Sequence, residues 1–144
     1  MPLTTFGAIL NFAESLENAD MQFYTRAAAA DGCAAQADFF AKAAAESGKN
    51  ISLVQRTRRE NVTEMILEPI QGLTRGSYQT AAGDAAAMDC PSMLAASVAL
   101  EERAIRYYGD AADKIRALPE VSRVLKTLAK KRVKRLDRIR GMAG

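Results

Sequence analysis

Four acidic side chains, Glu17, Asp20, Glu46 and Glu101, and three cations, Lys49, Arg132 and Arg135, lie on or beside stripes of apolar residues that recur at steps of three and four. Those steps put side chains on one face of an α-helix, so the charges are aimed at a core. A carboxylate aimed inward needs a cation or a metal ion beside it, and the pattern leaves two chemistries open: a carboxylate-ligated metal centre or an internal ion cluster. Tyr24 and Tyr108 fall on the inward faces and Tyr107 on an outward one. Their hydroxyls read as core groups that find hydrogen-bond partners. Histidine is absent from the 144 residues. That excludes Ser-His-Asp and Cys-His catalysis and any metal site that needs imidazole. Cys33 and Cys90 lack CxxC spacing and read as reduced thiols, with no zinc motif and no disulfide framework.

The elements that must hold these residues are helices. Apolar residues make up 49% of the chain, enough for a core, and charged residues 26%, which argues against disorder. Alanine, at 28 residues, is the commonest type and aromatics are few, a composition for closely packed helices rather than sheets. The periodicity predicts helices over about 5–30, 34–59, 92–118 and 120–140 within a single domain, 1–144. Asp31-Gly32 ends the first, Pro91 sits in the first turn of the third, and Pro119 ends it. The connection at about 61–90 is long. Val62, Met65, Ile66 and Ile70 could form a short amphipathic helix broken at Pro69, and Met65–Leu67 could cover the bundle or make a dimer contact. A connection of this length has a purpose if it joins parallel helices across the length of a bundle. The first and third segments also look like copies: Glu17, Phe23-Tyr24 and Ala27-Ala28 recur as Glu101, Tyr107-Tyr108 and Ala111-Ala112, always 84 residues later. The expected fold is all-α, two helical hairpins forming a four-helix bundle.

Glu17-x6-Tyr24 followed by Phe39-Phe40-x5-Glu46, repeated as Glu101-x6-Tyr108 followed by Leu128-Ala129 and Arg132, resembles the ferritin-like superfamily, its rubrerythrin-like branch above all. The resemblance implies a ferritin-like four-helix bundle, a homodimer, and a diiron centre to which each hairpin supplies one Glu and one Glu-x-x-His pair. Glu17 and Glu101 match the single glutamates and Glu46 the first of a pair. Lys49 stands where that pair's histidine would be, and Arg132 and Arg135 stand at both positions of the other. Protonated lysine and arginine do not ligate iron. The resemblance therefore implies a degenerate site in which Lys49, Arg132 and Arg135 neutralise Glu17, Glu46 and Glu101 as a salt-bridge cluster, with no cofactor. The rubredoxin-like four-cysteine module is missing.

A small rotation of the helices gives a different set. Asp20 is more central than Glu17 and Asn50 more central than Lys49, so Asp20, Asn50, Tyr24 and Tyr108 could join Glu17, Glu46 and Glu101 in an oxygen-rich site for iron, manganese or another hard ion. Residues 114–140 carry eleven Lys or Arg and two acids, within a chain of net charge +3. Arg123, Lys130, Lys134 and Arg138 form an outward stripe, read as a solvated face or as a surface for anions, with no aromatic interleaving for nucleic acid. No stretch is apolar enough to span a bilayer and no leader is evident, so the expected location is cytoplasmic. Three functions follow: a non-catalytic bundle acting through structure or partner binding, a metal-binding oxidoreductase or storage protein, or an anion-surface binder.

Overall fold

The computed structural model describes residues 6–60 and 85–143. Over these residues the chain forms four long helices, α1 (Phe6–Ala29), α2 (Ala37–Glu60), α3 (Cys90–Lys114) and α4 (Pro119–Ala143), two 3-10 turns and no strand. The expected segment at 62–70 and its dimer contact lie outside the described residues.

The helix ends follow from local chemistry, with three corrections. Asp31-Gly32 ends α1 as expected, but the chain then winds through a 3-10 turn, Asp31–Gln36, kinked at Cys33 (φ −137°, ψ 44°), so α2 begins three residues later than the periodicity implied. α3 begins at Cys90 because Asp89 caps it, accepting a hydrogen bond from the Ser92 amide at 2.8 Å, with Pro91 in the first turn where a missing N–H costs nothing. Pro119 does not end α3. The helix stops at Lys114, and Pro119 opens α4 instead. The helix expected to end at about 140 continues through Gly141 to Ala143.

Each hairpin packs closely, α1 on α2 and α3 on α4, and the two hairpins meet more loosely through α1 with α3 and α2 with α4. Contacts fix the directions. Tyr107 donates to the Ile9 carbonyl at 2.7 Å, Tyr108 meets Glu17 and Tyr24 meets Glu101, so α1 and α3 run antiparallel. Arg58 of α2 reaches Glu14 of α1 at 3.4 Å, which brings α2 back to the start of α1. Thus α2 and α3 are parallel, and the last residues of α2 and the first of α3 lie toward opposite ends of the bundle.

Two apolar clusters fill the interior. One gathers Ile9, Phe12, Leu16, Val54, Tyr107, Ile115, Leu125 and Leu128. The other gathers Phe23, Tyr24, Phe40, Met93, Leu100 and Ile139. The charged residues lie between them. Tyr107, read as outward, is fully buried in the first cluster, where its ring packs on Phe12 at 4.8 Å. Ile105, two residues earlier on α3, is only half-buried. The face of α3 that meets α1 is rotated so that Tyr107 and Tyr108 both point inward, each hydroxyl finding an acceptor.

A disulfide joins Cys33 to Cys90, tying the α1–α2 turn to the start of α3. This corrects the expectation of two reduced thiols. The two positions are 57 residues apart in sequence, and only the antiparallel arrangement of α1 and α3 brings the turn after one to the beginning of the other.

Candidate functional site

The centre of the bundle is a guanidinium. Arg132, on α4, is fully buried, and its three nitrogens are divided among three carboxylates on two other helices. Nη1 donates to both oxygens of Glu101, at 2.9 and 2.8 Å. Nη2 lies 2.9 Å from Glu17 Oε1 and donates to Asp20 Oδ2 at 2.7 Å. Nε donates to Glu17 Oε2 at 3.3 Å. Arginine suits this position because its planar fork presents five donors in fixed directions.

Two further guanidiniums complete the cluster. Arg135, one turn along α4, donates to Glu101 Oε2 at 3.4 Å, to Ser47 Oγ at 3.2 Å and to Glu46 Oε2 at 3.3 Å, and lies over the Tyr24 ring at 5.4 Å. Arg103, on α3, donates to Asp20 Oδ1 at 2.5 Å. Asn50 donates to Glu17 Oε1 at 3.2 Å. Tyr24 donates to Glu101 and Tyr108 to Glu17. Among the described residues the buried charges are Glu17, Asp20 and Glu101 against Arg103, Arg132 and Arg135, a balanced set, as low-dielectric burial requires.

The arrangement is reciprocal between hairpins. Tyr24 of α1 serves Glu101 of α3, and Tyr108 of α3 serves Glu17 of α1. Asn50 of α2 serves Glu17, and Arg135 of α4 serves Glu101. The repeated spacing read in α1 and α3 is therefore a spatial symmetry about the cluster. The symmetry is incomplete: Asp20 and Arg103 correspond by the same offset to Ala104 and Ala19, and opposite the large Arg132 the corresponding place on α2 holds the small Ser47, buried beside Arg135.

Electrostatics follow from burial and neighbours. Burial alone would push the Glu101 carboxyl up, but Arg132 and Arg135, with hydrogen bonds from Arg132 and Tyr24, hold it below its ordinary value. At Asp20 burial prevails over Arg132 and Arg103, with Glu101 and Glu17 adding repulsion, so its carboxyl is raised. Burial raises both Tyr24 and Tyr108 well above the ordinary phenol range, and the carboxylates they serve add to it. Burial would lower Arg132, but Glu17, Glu101 and Asp20 more than compensate and keep it charged.

The expected residues divide as follows. Glu17, Glu101, Arg132 and Arg135 meet, as the salt-bridge reading requires. Asp20, Asn50, Tyr24 and Tyr108, proposed for an alternative carboxylate site, meet in the same place, around a guanidinium. Lys49 does not join: it is exposed, one residue out of register, and Asn50 takes the inward place. Glu46 stands at the rim with its side chain 50% exposed, and among the described residues it reaches only Arg135. The inward pair on α2 is Ser47 and Asn50, and the pair on α4 is Arg132 and Arg135. Arg103 escaped the sequence reading because it lies off the apolar stripe; the signal was its place on the same α3 face as Tyr107, one turn away.

The diiron centre implied by the resemblance does not fit these residues. All six oxygens of Glu17, Asp20 and Glu101 already accept hydrogen bonds or ion pairs, most from Arg132, and a fixed cation at the centre repels another. Among the described residues no three acidic or cysteine side chains converge in a group able to hold a metal ion, and no helix is long and apolar enough to cross a membrane. Compared with protein-family models, curated proteins and solved structures, the chain gives no match.

Proposed function

We propose that this chain is a ferritin-like bundle of rubrerythrin-like ancestry whose metal centre has been replaced by an arginine-centred ion cluster, and that it acts without redox chemistry, through its surface. One observation carries the reading: Arg132, fully buried, engages Glu17, Asp20 and Glu101 at once. The helix directions and the reciprocal Tyr–Glu pairs support the ancestry, since a duplicated hairpin places its copies this way. The cluster fixes the relative rotation of the helices, because each carboxylate reaches its donors in only one register. Buried ionic groups add little net stability, and in some proteins they fix the register of packing.

The test is metal content. Protein produced with iron and manganese in excess, purified without chelator and analysed by plasma mass spectrometry, is expected to hold far less than one metal per chain. One iron or manganese per chain, lost when Glu17 or Glu101 is changed to Gln, would refute the reading and restore the oxidoreductase or storage alternative. The homodimer that the resemblance implies is tested by sedimentation equilibrium.

The disulfide bears on location. Disulfides persist in oxidising compartments and are uncommon in the cytosol of most organisms, so the Cys33–Cys90 bond supports an oxidising compartment in place of the cytoplasm. Rapid alkylation of the protein in its native cells, followed by mass spectrometry, is expected to find both cysteines unmodified until reductant is added.

A further inference from the structure

On the α2–α4 side of the bundle, bordering the buried cluster at Asn50 and Arg135, lies a cleft of about 290 Å³. Cations from both helices converge on it: Lys42 and Lys49 from α2, and Lys131, Lys134, Arg135 and Arg138 from α4. Among the described residues of its lining Glu46 is the one carboxylate, and it is engaged with Arg135. The other five cations make no ion pair with any described residue. Arg135 is 3% exposed, and its Nε is buried without a hydrogen-bond partner. Phe39 and Ala43 supply an apolar wall, and the Phe39 ring is held against Phe40 at 5.8 Å.

A solvated basic face spreads its lysines apart, because like charges repel. Here six are gathered around one concavity from two helices, although the rest of the chain outside 114–140 is acidic and could have neutralised them. We propose that this cleft is a binding site for a small phosphorylated molecule. Convergent Lys and Arg donors fit the several oxygens of a phosphate or pyrophosphate group. A polymer needs an extended track of charge, whereas this volume lies at the lower end of small-ligand pockets. The apolar wall leaves room beside the phosphate for an organic portion lying on Phe39. The site does not depend on the ancestry or the metal history of the bundle.

Isothermal titration with inorganic pyrophosphate, at constant ionic strength, tests this directly, with chloride as the control anion. Expected is saturable binding of one pyrophosphate per chain, weakened about tenfold or more by Lys131→Ala with Lys134→Ala, and tightened by Glu46→Gln, which removes the competing acid from Arg135. The exchanged residues, Glu46, Lys131 and Lys134, are exposed and none belongs to the buried cluster's centre, so these variants should fold; circular dichroism confirms it. Absence of saturable binding, or binding that the double variant leaves unchanged, would overturn the proposal. So would tight binding of a single-stranded oligonucleotide without any binding of pyrophosphate, which would mark the surface as a polymer track.

Discussion

Replacing Arg132 with Leu removes the group on which Glu17, Asp20 and Glu101 all depend, while leaving a side chain that the core can accommodate. Deleting one partner of a buried ion pair costs about 3–5 kcal/mol. An independent route gives a similar figure. If the variant relieves its stranded charge by taking up one proton at pH 7, a carboxyl with an unfolded value near 4 must be carried across about 3 units, at about 1.36 kcal/mol each, or about 4 kcal/mol. For a domain of this size that corresponds to a fall in Tm on the order of 10–20 °C. The two routes agree because they describe the same deficit. They also predict a distinctive pH dependence. In Arg132→Leu the freed carboxyls sit in a dry, mutually repelling group, so their folded values rise above their unfolded ones. Stability should then increase as pH is lowered from 7 toward 5 more steeply than in the native protein, where the raised Asp20 and the lowered Glu101 act in opposite directions. Arg132→Lys, which keeps the charge but loses the fork, should fall between the two. Differential scanning calorimetry across that pH range provides the measurement. A variant that melts within about 2 °C of the native protein, less than 1 kcal/mol would produce, with the same pH profile, would refute the cluster as the centre of the fold's electrostatics.

Other outcomes follow from the same geometry. Tyr24→Phe and Tyr108→Phe should each destabilise by about 1.5–3 kcal/mol, the range for a hydrogen bond to a charged group, and by similar amounts, since their roles are reciprocal; urea midpoints would show a difference if one hydroxyl is idle. With the folded values of Tyr24 and Tyr108 raised, their contribution is intact below the ordinary phenol value of 10.0 and is lost as pH climbs beyond it, so alkaline urea melts should weaken there, less steeply in the Phe variants. The Glu101 carboxyl is lowered, so its contribution is present at neutral pH and is lost as pH falls through its folded value; Glu101→Gln should reduce that acid-side loss. Asp20 has the opposite sign, its raised value favouring the fold only while it is protonated. Reducing the Cys33–Cys90 bond, which closes a loop spanning 57 residues, should cost about 4 kcal/mol on the chain-entropy relation, read as the difference between oxidised and reduced urea midpoints.

Helical periodicity made most of the fold legible. Runs such as Ile9, Phe12, Ala13 and Leu16 on α1, or Val121, Leu125 and Leu128 on α4, are buried as their spacing implies. Boundaries were less legible where one residue type serves two purposes: Pro119 was read as a stop, but proline opens a helix as well as it ends one. Arg132 and Arg135 were legible because a cation amid Leu125, Leu128, Leu136 and Ile139 has no bland position available. Lys49 was misplaced by one residue. The motif spacing favoured it, while the apolar stripe through Ser47, Asn50 and Val54 favoured Asn50, and packing followed the stripe. The Cys33–Cys90 bond could not be read at all, since two cysteines far apart in sequence meet only after the hairpins have docked. Arg103 was equally hidden, its partner Asp20 lying 83 residues away on another helix.

The central claim is that a side chain, and not a metal ion, occupies the space between Glu17, Asp20 and Glu101. X-ray diffraction from crystals grown with excess iron and manganese, collected on both sides of each metal's absorption edge, addresses it most directly. The account predicts planar guanidinium density for Arg132 within hydrogen-bonding distance of all three carboxylates, with no anomalous peak. An anomalous peak among those carboxylates, with Arg132 swung away from them, would contradict it.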